Sequence, residues 1–209
     1  MSNFRRRLMG VQQHGGLPAG YQQVEYIEST GTQYIDTGVS GGINASYEII
    51  FNSLGRVNVV YEQYFAGNKS SSIPKLFENP NGTIRAQVGG DIYVGRITNK
   101  YKIEYKVSGE LVVDDVVIGS FGPLGNGWGS LSWYVFSSHG ENNLKSIMSL
   151  YKLKMYTDGI LVRNYIPCYS TTTVVNSNGV SVPANTKGLY DLVEGKFYTN
   201  QGTGEFLYG

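Results

Sequence analysis

The sequence predicts an all-β fold, a two-sheet antiparallel sandwich of jelly-roll type, and three observations predict it. Apolar and polar residues alternate at period two through much of the chain, the pattern of strands with one dry and one wet face. Hairpin-turn dipeptides separate those stretches at roughly the 8–12-residue spacing of sandwiches and barrels. Composition agrees: of 209 residues, 16% are charged, with 28 Gly and 17 Tyr. A disordered chain would lack the aromatics, and a helical bundle would be rich in Ala, Glu, Lys and Leu. Glycine shows no collagen period, and no run of about 18 apolar residues could span a membrane as a helix.

The elements follow in order. Residues 1–20 read as a basic tail and linker outside the main core, and residues 21–209 as the sandwich. Phe4, Leu8 and Val11 fall at helical spacing. His14 to Gly20 then breaks regular structure with glycines and Pro18. Ser46–Asn52 places Tyr47, Ile49 and Phe51 on one face. Asn81-Gly82 predicts a hairpin between Lys75–Glu78 and Thr83–Val88. Tyr101–Val107 alternates without error, with Tyr101, Ile103, Tyr105 and Val107 opposite Lys102, Glu104 and Lys106. Ser108-Gly109 and Asp114-Asp115 join it to Glu110–Val113 and Val116–Phe121 as a three-strand meander. Asp158-Gly159 joins Leu150–Tyr156 to Ile160–Ile166, with Tyr151, Leu153 and Met155 on one face. Glu194-Gly195 joins Leu189–Val193 to Lys196–Asn200. Strands and helices do not alternate, which argues against a parallel α/β sheet. Gly122–Gly129 and Ser170–Lys187 read as long loops, a class that is often functional.

The net charge of +1 hides an asymmetry. Arg5, Arg6 and Arg7 sit together; without them 14 basic residues face 16 acidic ones, a mildly acidic body. The triplet reads either as a solvated terminus or as a docking peptide, with Phe4 and Leu8 as its apolar flanks. Three arginines neutralise too few phosphates for a typical nucleic-acid arm. Cys168 is the sole cysteine, so no internal disulfide exists. The first 16 residues lack the apolar stretch of a secretory signal.

Two segments carry a resemblance. One runs from Gly20-Tyr21-Gln22-Gln23-Val24-Glu25-Tyr26-Ile27-Glu28-Ser29-Thr30-Gly31-Thr32-Gln33-Tyr34-Ile35-Asp36 to Gly38. The other runs from Tyr151-Lys152-Leu153-Lys154-Met155-Tyr156 through Leu161 to Cys168 and resumes from Gly188 to Asn200. Together they cover roughly a quarter of the chain. They resemble the concanavalin A-like (laminin G-type) lectin/glucanase domains found in phage and prophage structural proteins of gut bacteria. The basic opening Ser2 to Met9 is similar to the start of many such proteins. The resemblance implies a sandwich whose first and last strands lie close together. It makes Tyr26 and Tyr34 framework residues, and Asp36 and Asp191 turn caps.

Glycosidases of this fold carry two carboxylates at alternate positions of one strand, as Glu-x-Asp-x-Glu. No Glu-x-Asp occurs here; Glu25 and Glu28 are three apart, and Asp114 and Asp115 sit in a turn. His139 reads as a turn histidine, and no Gly-x-Ser-x-Gly elbow or phosphate loop is present. No catalytic residue, metal site or cofactor is therefore expected. Sugar recognition needs an aromatic face and groups that bond hydroxyls. Trp128 with Asn126, and Tyr64 with Asn68, fit that chemistry, although Trp128 equally suits an end cover or a subunit interface.

The sequence thus leads to a non-enzymatic phage virion component, a head-decoration, head-fibre or tail-associated protein. Its docking residues would be Phe4, Arg5, Arg6, Arg7 and Leu8. It would be made in the bacterial cytoplasm and carried on the particle. The alternatives are a glycan-binding adhesin at a bacterial surface and, third, a glycoside hydrolase. Expected partners are other virion proteins, glycans and further copies of the chain; no specific nucleic acid or membrane is expected.

Overall fold

The computed structural model describes residues 16–40, 45–54, 63–67, 75–79, 82–87, 91–96, 99–121, 132–137 and 145–209. Its strands begin with β1 (Tyr21–Gln23), β2 (Ile27–Thr30), β3 (Ile35–Ser40), β4 (Ser46–Ser53), β5 (Gln63–Gly67) and β6 (Lys75–Glu78). They continue with β7 (Thr83–Gln87), β8 (Asp91–Arg96), β9 (Lys100–Tyr105), β10 (Glu110–Val113), β11 (Val116–Ser120) and β12 (Ser132–Val135). Last come β13 (Ile147–Thr157), β14 (Ile160–Ser170), β15 (Val174–Val175), β16 (Ser181–Val182), β17 (Lys187–Asp191), β18 (Lys196–Thr199) and β19 (Leu207–Tyr208). No helix occurs among the described residues.

The all-β antiparallel expectation holds. The larger sheet runs β11-β10-β9-β4-β13-β14-β17-β18, with β1 on β14, β2 on β13 and β19 on β2. The smaller runs β3-β12-β5-β6-β7-β8. Between them lies a core of Ile27, Ile35, Ile49, Phe51, Leu76, Ile84, Ile103, Trp133, Val135, Leu150 and Leu153, each fully buried. Burying a side chain of this size is worth about 1.5–3 kcal/mol relative to exposure, so this layer is the main stabilising term. The early and late strands meet as the resemblance implied: Leu207 pairs with Glu28 and Tyr208 with Ile27.

Turn chemistry sets the hairpins. Asp114 and Asp115 adopt φ of 46° and 69°, and Asp158 and Gly159 adopt 51° and 75°. Two consecutive left-handed residues make a two-residue turn whose twist matches that of the flanking strands. The Ser108-Gly109 connection is longer than the sequence suggests. Lys106 N donates to Glu110 O at 2.9 Å and Gly109 N to Lys106 O at 2.8 Å, so Lys106 to Gly109 form a four-residue turn. Val107 therefore leaves the core face and is 41% exposed. Asn81 lies outside the described residues.

Two further expectations change. Tyr151 does not share a core face with Leu153 and Met155. Leu150 pairs with Phe51 and Lys152 with Ile50, so Tyr151 is the extra residue of a β-bulge. Leu150 takes the core position, while Tyr151 turns out and packs its ring against Tyr26, 5.3 Å between centres and tilted at 53°. The stretch Ser170–Lys187 is also not structureless. It folds into the β15–β16 hairpin, built on one side chain. Asn176 Oδ1 accepts from Asn178 N and Val180 N, both at 3.0 Å, and Asn176 Nδ2 donates to Thr199 Oγ1 at 3.0 Å. The hairpin covers a small apolar cluster of Cys168, Tyr190 and Phe197, which Leu17, Tyr21, Val174, Val182 and Leu192 complete. Leu17, assigned above to the linker, thus packs against the domain.

Candidate functional site

The segment after β18 builds the most sugar-like surface among the described residues. Asn200 shapes its loop: Oδ1 accepts from Gly202 N at 2.7 Å and Tyr34 N at 3.2 Å, and Nδ2 donates to Gly204 O at 2.8 Å. Buried Gln33 donates from Nε2 to Glu205 O at 3.0 Å. Phe206 is then driven into the core, 2% exposed and 5.0 Å from the Phe136 ring. With that anchor in place, the neighbouring Leu207 and Tyr208 stay 53% and 50% exposed. Backbone bonds from Glu25 N and Tyr26 N to Gly209 O, at 2.7 and 3.3 Å, hold the strand against the Tyr26 segment. The Tyr26 ring lies against Gly209, where an added Cβ would meet its hydroxyl end and have to push the ring aside.

The result is a cleft of about 490 Å³ lined by Tyr26, Glu28, Lys187, Glu205, Phe206, Leu207 and Tyr208. That is within the usual range of small-molecule sites, roughly 300–1,000 Å³. Ring contacts extend its aromatic surface at both ends, Tyr151 on Tyr26 and Tyr169 on Tyr208 at 5.5 Å. Lys187 Nζ sits 2.7 Å from Glu205 Oε2 and 6.0 Å from the Tyr208 ring centre. The Lys187 ammonium holds the Glu205 carboxyl below its ordinary value of 4.5, so this acceptor is charged at neutral pH. Glu28 Oε2 accepts from Ser149 Oγ at 3.2 Å, which fixes a second carboxylate. Rings, carboxylates and an ammonium around one hollow can cover the apolar side of a sugar and bond its hydroxyls.

A second, polar cleft of about 330 Å³ lies near the hairpin end of the sandwich, lined by Asp36, Gly38, Arg163, Ser177, Asn178, Glu194, Lys196, Tyr198 and Gln201. Beneath it, fully buried Asp191 caps the β17–β18 turn. Its Oδ1 accepts from Asn164 N at 2.8 Å and Val193 N at 3.1 Å, and its Oδ2 from Glu194 N at 3.3 Å. Asp36 Oδ1 likewise accepts from Gly38 N at 2.9 Å. Both acids are turn caps, as the resemblance implied. Burial pulls the Glu194 carboxyl upward, but the Tyr198 hydroxyl, Lys196 and Arg163 outweigh it and hold it below 4.5. Cys168 is buried, which pushes its thiol up to about 12.

The sugar-binding candidates of the sequence fall mostly elsewhere. Trp128, Asn126 and Asn68 lie outside the described residues, as do Phe4, Arg5, Arg6, Arg7, Leu8, His14 and His139. Tyr64 falls on β5, where its backbone pairs with Phe77; its side chain lies outside the described residues. Tyr26, assigned above to the framework alone, also lines the larger cleft. Tyr208, Lys187 and Glu205 were not singled out in the sequence. Their one local signal is the run Glu205-Phe206-Leu207-Tyr208, too short to give a period.

No protein-family model and no curated protein matches the sequence. Among solved structures, a Bacteroides ovatus protein provisionally assigned to carbohydrate binding superposes with a TM-score of 0.56 at 11% identity, over 90% of this chain and 60% of its own length. A heptameric SAP-like pentraxin from Limulus polyphemus gives a TM-score of 0.44 at 10% identity, over 65% of this chain and 74% of that one. The chain thus spans 60% of the length of the Bacteroides protein. That likeness is one of fold, an antiparallel β-sandwich.

Proposed function

We propose that this chain is a non-enzymatic carbohydrate-binding sandwich that holds a glycan in the Tyr26–Tyr208 cleft. The observation that carries the reading is the half-exposed Tyr208 ring beside an ion-paired Lys187 and Glu205, with Glu28 and Tyr26 in the same hollow. In this reading a sugar lies with its apolar face on Tyr208 and its hydroxyls bond Glu28, Glu205 and Lys187. A non-enzymatic role rests on the missing alternate-carboxylate pattern of glycosidases. A glycan array of bacterial-surface and mucin saccharides tests it. Wild type is expected to bind a subset, and Tyr208→Ala to bind it severalfold more weakly with an unchanged circular dichroism spectrum. Binding to no glycan overturns the reading. Loss in Trp128→Ala but not Tyr208→Ala moves the site to the glycine-rich loop.

A second proposal concerns setting. The basic tail and the resemblance to phage structural proteins favour a virion component that displays the sandwich outward through residues 1–20. Deleting residues 1–15 is expected to abolish incorporation into particles, and unchanged incorporation overturns the docking role of Phe4, Arg5, Arg6, Arg7 and Leu8.

A further inference from the structure

The polar cleft near the hairpin has no part in the reading above, yet its walls are ordered from four separate segments. Asp36 and Gly38 come from β3, Arg163 from β14, Glu194 and Lys196 from the β17–β18 turn and the start of β18, and Ser177 and Asn178 from the hairpin. Ser177 N donates to Phe197 O at 2.7 Å, which docks the hairpin against β18. The stretch the sequence marked as a long loop is therefore a wall.

Part of this cleft's polar lining is spent on the frame, Glu194 accepting from the Tyr198 hydroxyl at 2.9 Å and pairing with Lys196 at 3.2 Å. A guanidinium has five N–H donors. Arg163 Nε donates to Thr37 O at 3.3 Å, and Nη1 reaches Val162 O at 2.7 Å and Glu194 Oε1 at 2.8 Å. Its Nη2 lies beside Gly38, where an added Cβ would sit 3.9 Å from it, an ordinary contact distance. Gly38 adopts φ of 65°, a left-handed conformation that favours glycine. Asp36 spends only Oδ1, on its own turn. Gln201 uses its Nε2 on Thr199 O at 3.4 Å and leaves Oε1 available. Asn178 and Ser177 add an amide and a hydroxyl. Donors and acceptors thus line one hollow, as binding neighbouring hydroxyls requires, since each hydroxyl both donates and accepts.

Charge decides what kind of hydroxylated ligand fits. Arg163 and Lys196 face Asp36, Glu194 and the underlying Asp191, a balance of one negative charge. An anionic ligand meets net repulsion, and a neutral one does not. We infer that this cleft is a second saccharide site, for a neutral sugar carrying vicinal hydroxyls. It is chemically distinct from the tyrosine-lined cleft and independent of it.

Amide-resolved NMR titration of the full chain tests this with three probes: methyl α-D-mannopyranoside, methyl β-D-galactopyranoside and glucuronate. At least one neutral glycoside is expected to shift Asp36, Gly38, Ser177, Asn178 and Gln201, saturating in the millimolar range. Asp36→Ala is expected to weaken that response about tenfold, as loss of a charged hydrogen-bond acceptor does. Asn178→Ala, at an exposed position that caps nothing, serves should the Asp36 variant lose its turn, and is expected to weaken it severalfold. Tyr208→Ala is expected to leave these shifts intact, which separates this site from the first. No shift at these residues up to roughly 100 mM of either glycoside, millimolar binding being the weakest useful affinity, overturns the inference. Tighter binding of glucuronate, or full retention of binding in both the Asp36 and Asn178 variants, overturns it as well.

Discussion

Replacing Tyr208 by alanine isolates the ring that defines the larger cleft. The side chain is 50% exposed, and a covered tyrosine buries about 200 Å², so about 100 Å² is available to a ligand. Covering all of that at about 25 cal/mol per Å² gives about 2.5 kcal/mol. A sugar ring lies on one face only, which leaves about 1.2 kcal/mol, or roughly an eightfold change in Kd. The variant also loses the Tyr169 contact at 5.5 Å and the Lys187 approach at 6.0 Å. Both are at the surface, so the cost to stability is expected below about 1 kcal/mol. Isothermal titration calorimetry with the strongest glycan of the array reads the change in Kd, and thermal unfolding reads the stability. Tyr208→Phe keeps the ring and is expected to stay within about threefold of wild type, the hydroxyl contributing at most a neutral hydrogen bond. A Kd for Tyr208→Ala within twofold of wild type refutes the stacking argument.

The remaining predictions concern the frame. Asp191→Ala removes the acceptor for three backbone amides and a buried partner of Arg163, so a loss of about 3–5 kcal/mol is expected. For a domain of this size that lowers Tm by roughly 10 °C or more, readable by differential scanning calorimetry. Gly188→Ala places a Cβ 2.2 Å from Tyr198 O and 2.9 Å from Phe197 Cε2, so the β17–β18 ladder must part. A loss above about 3 kcal/mol, or failure to accumulate as soluble protein, is expected in a denaturant titration. The Cys168 thiol, buried and pushed up to about 12, is expected to resist iodoacetamide at pH 8 in the folded protein and to react once unfolded, as mass spectrometry would show.

The sequence was legible where one physical requirement acts locally. Tyr47, Ile49 and Phe51 had to alternate inward because strand side chains change face at every residue, and all three are buried. Asp158-Gly159 had to turn because its pair of left-handed residues suits a hairpin. The reading failed where one residue breaks the count. The bulge at Tyr151 shifts the parity of β13, and period two cannot show it, because the partner strand decides which residue is extra. Asn176 likewise looks like any loop asparagine until Val180 and Thr199 come within reach of its amide.

The sites show the same division. Aromatic and polar residue types suited to sugars are visible in the composition, and so is the absence of a glycosidase carboxylate pattern. Which of the 17 tyrosines meet across a hollow is not. Tyr26 and Tyr208 are far apart in sequence and join one cleft only because β19 returns to pair with β2. Arg163, Asp36 and Asn178 share a wall only because β14, β3 and a hairpin converge there. The sequence by itself therefore determined the fold class, the hairpins and the residue types available for binding, since periodicity and turn preference act over a few residues. Tertiary structure alone decided which of those residues face each other, because strand pairing over long separations sets every distance a ligand would meet.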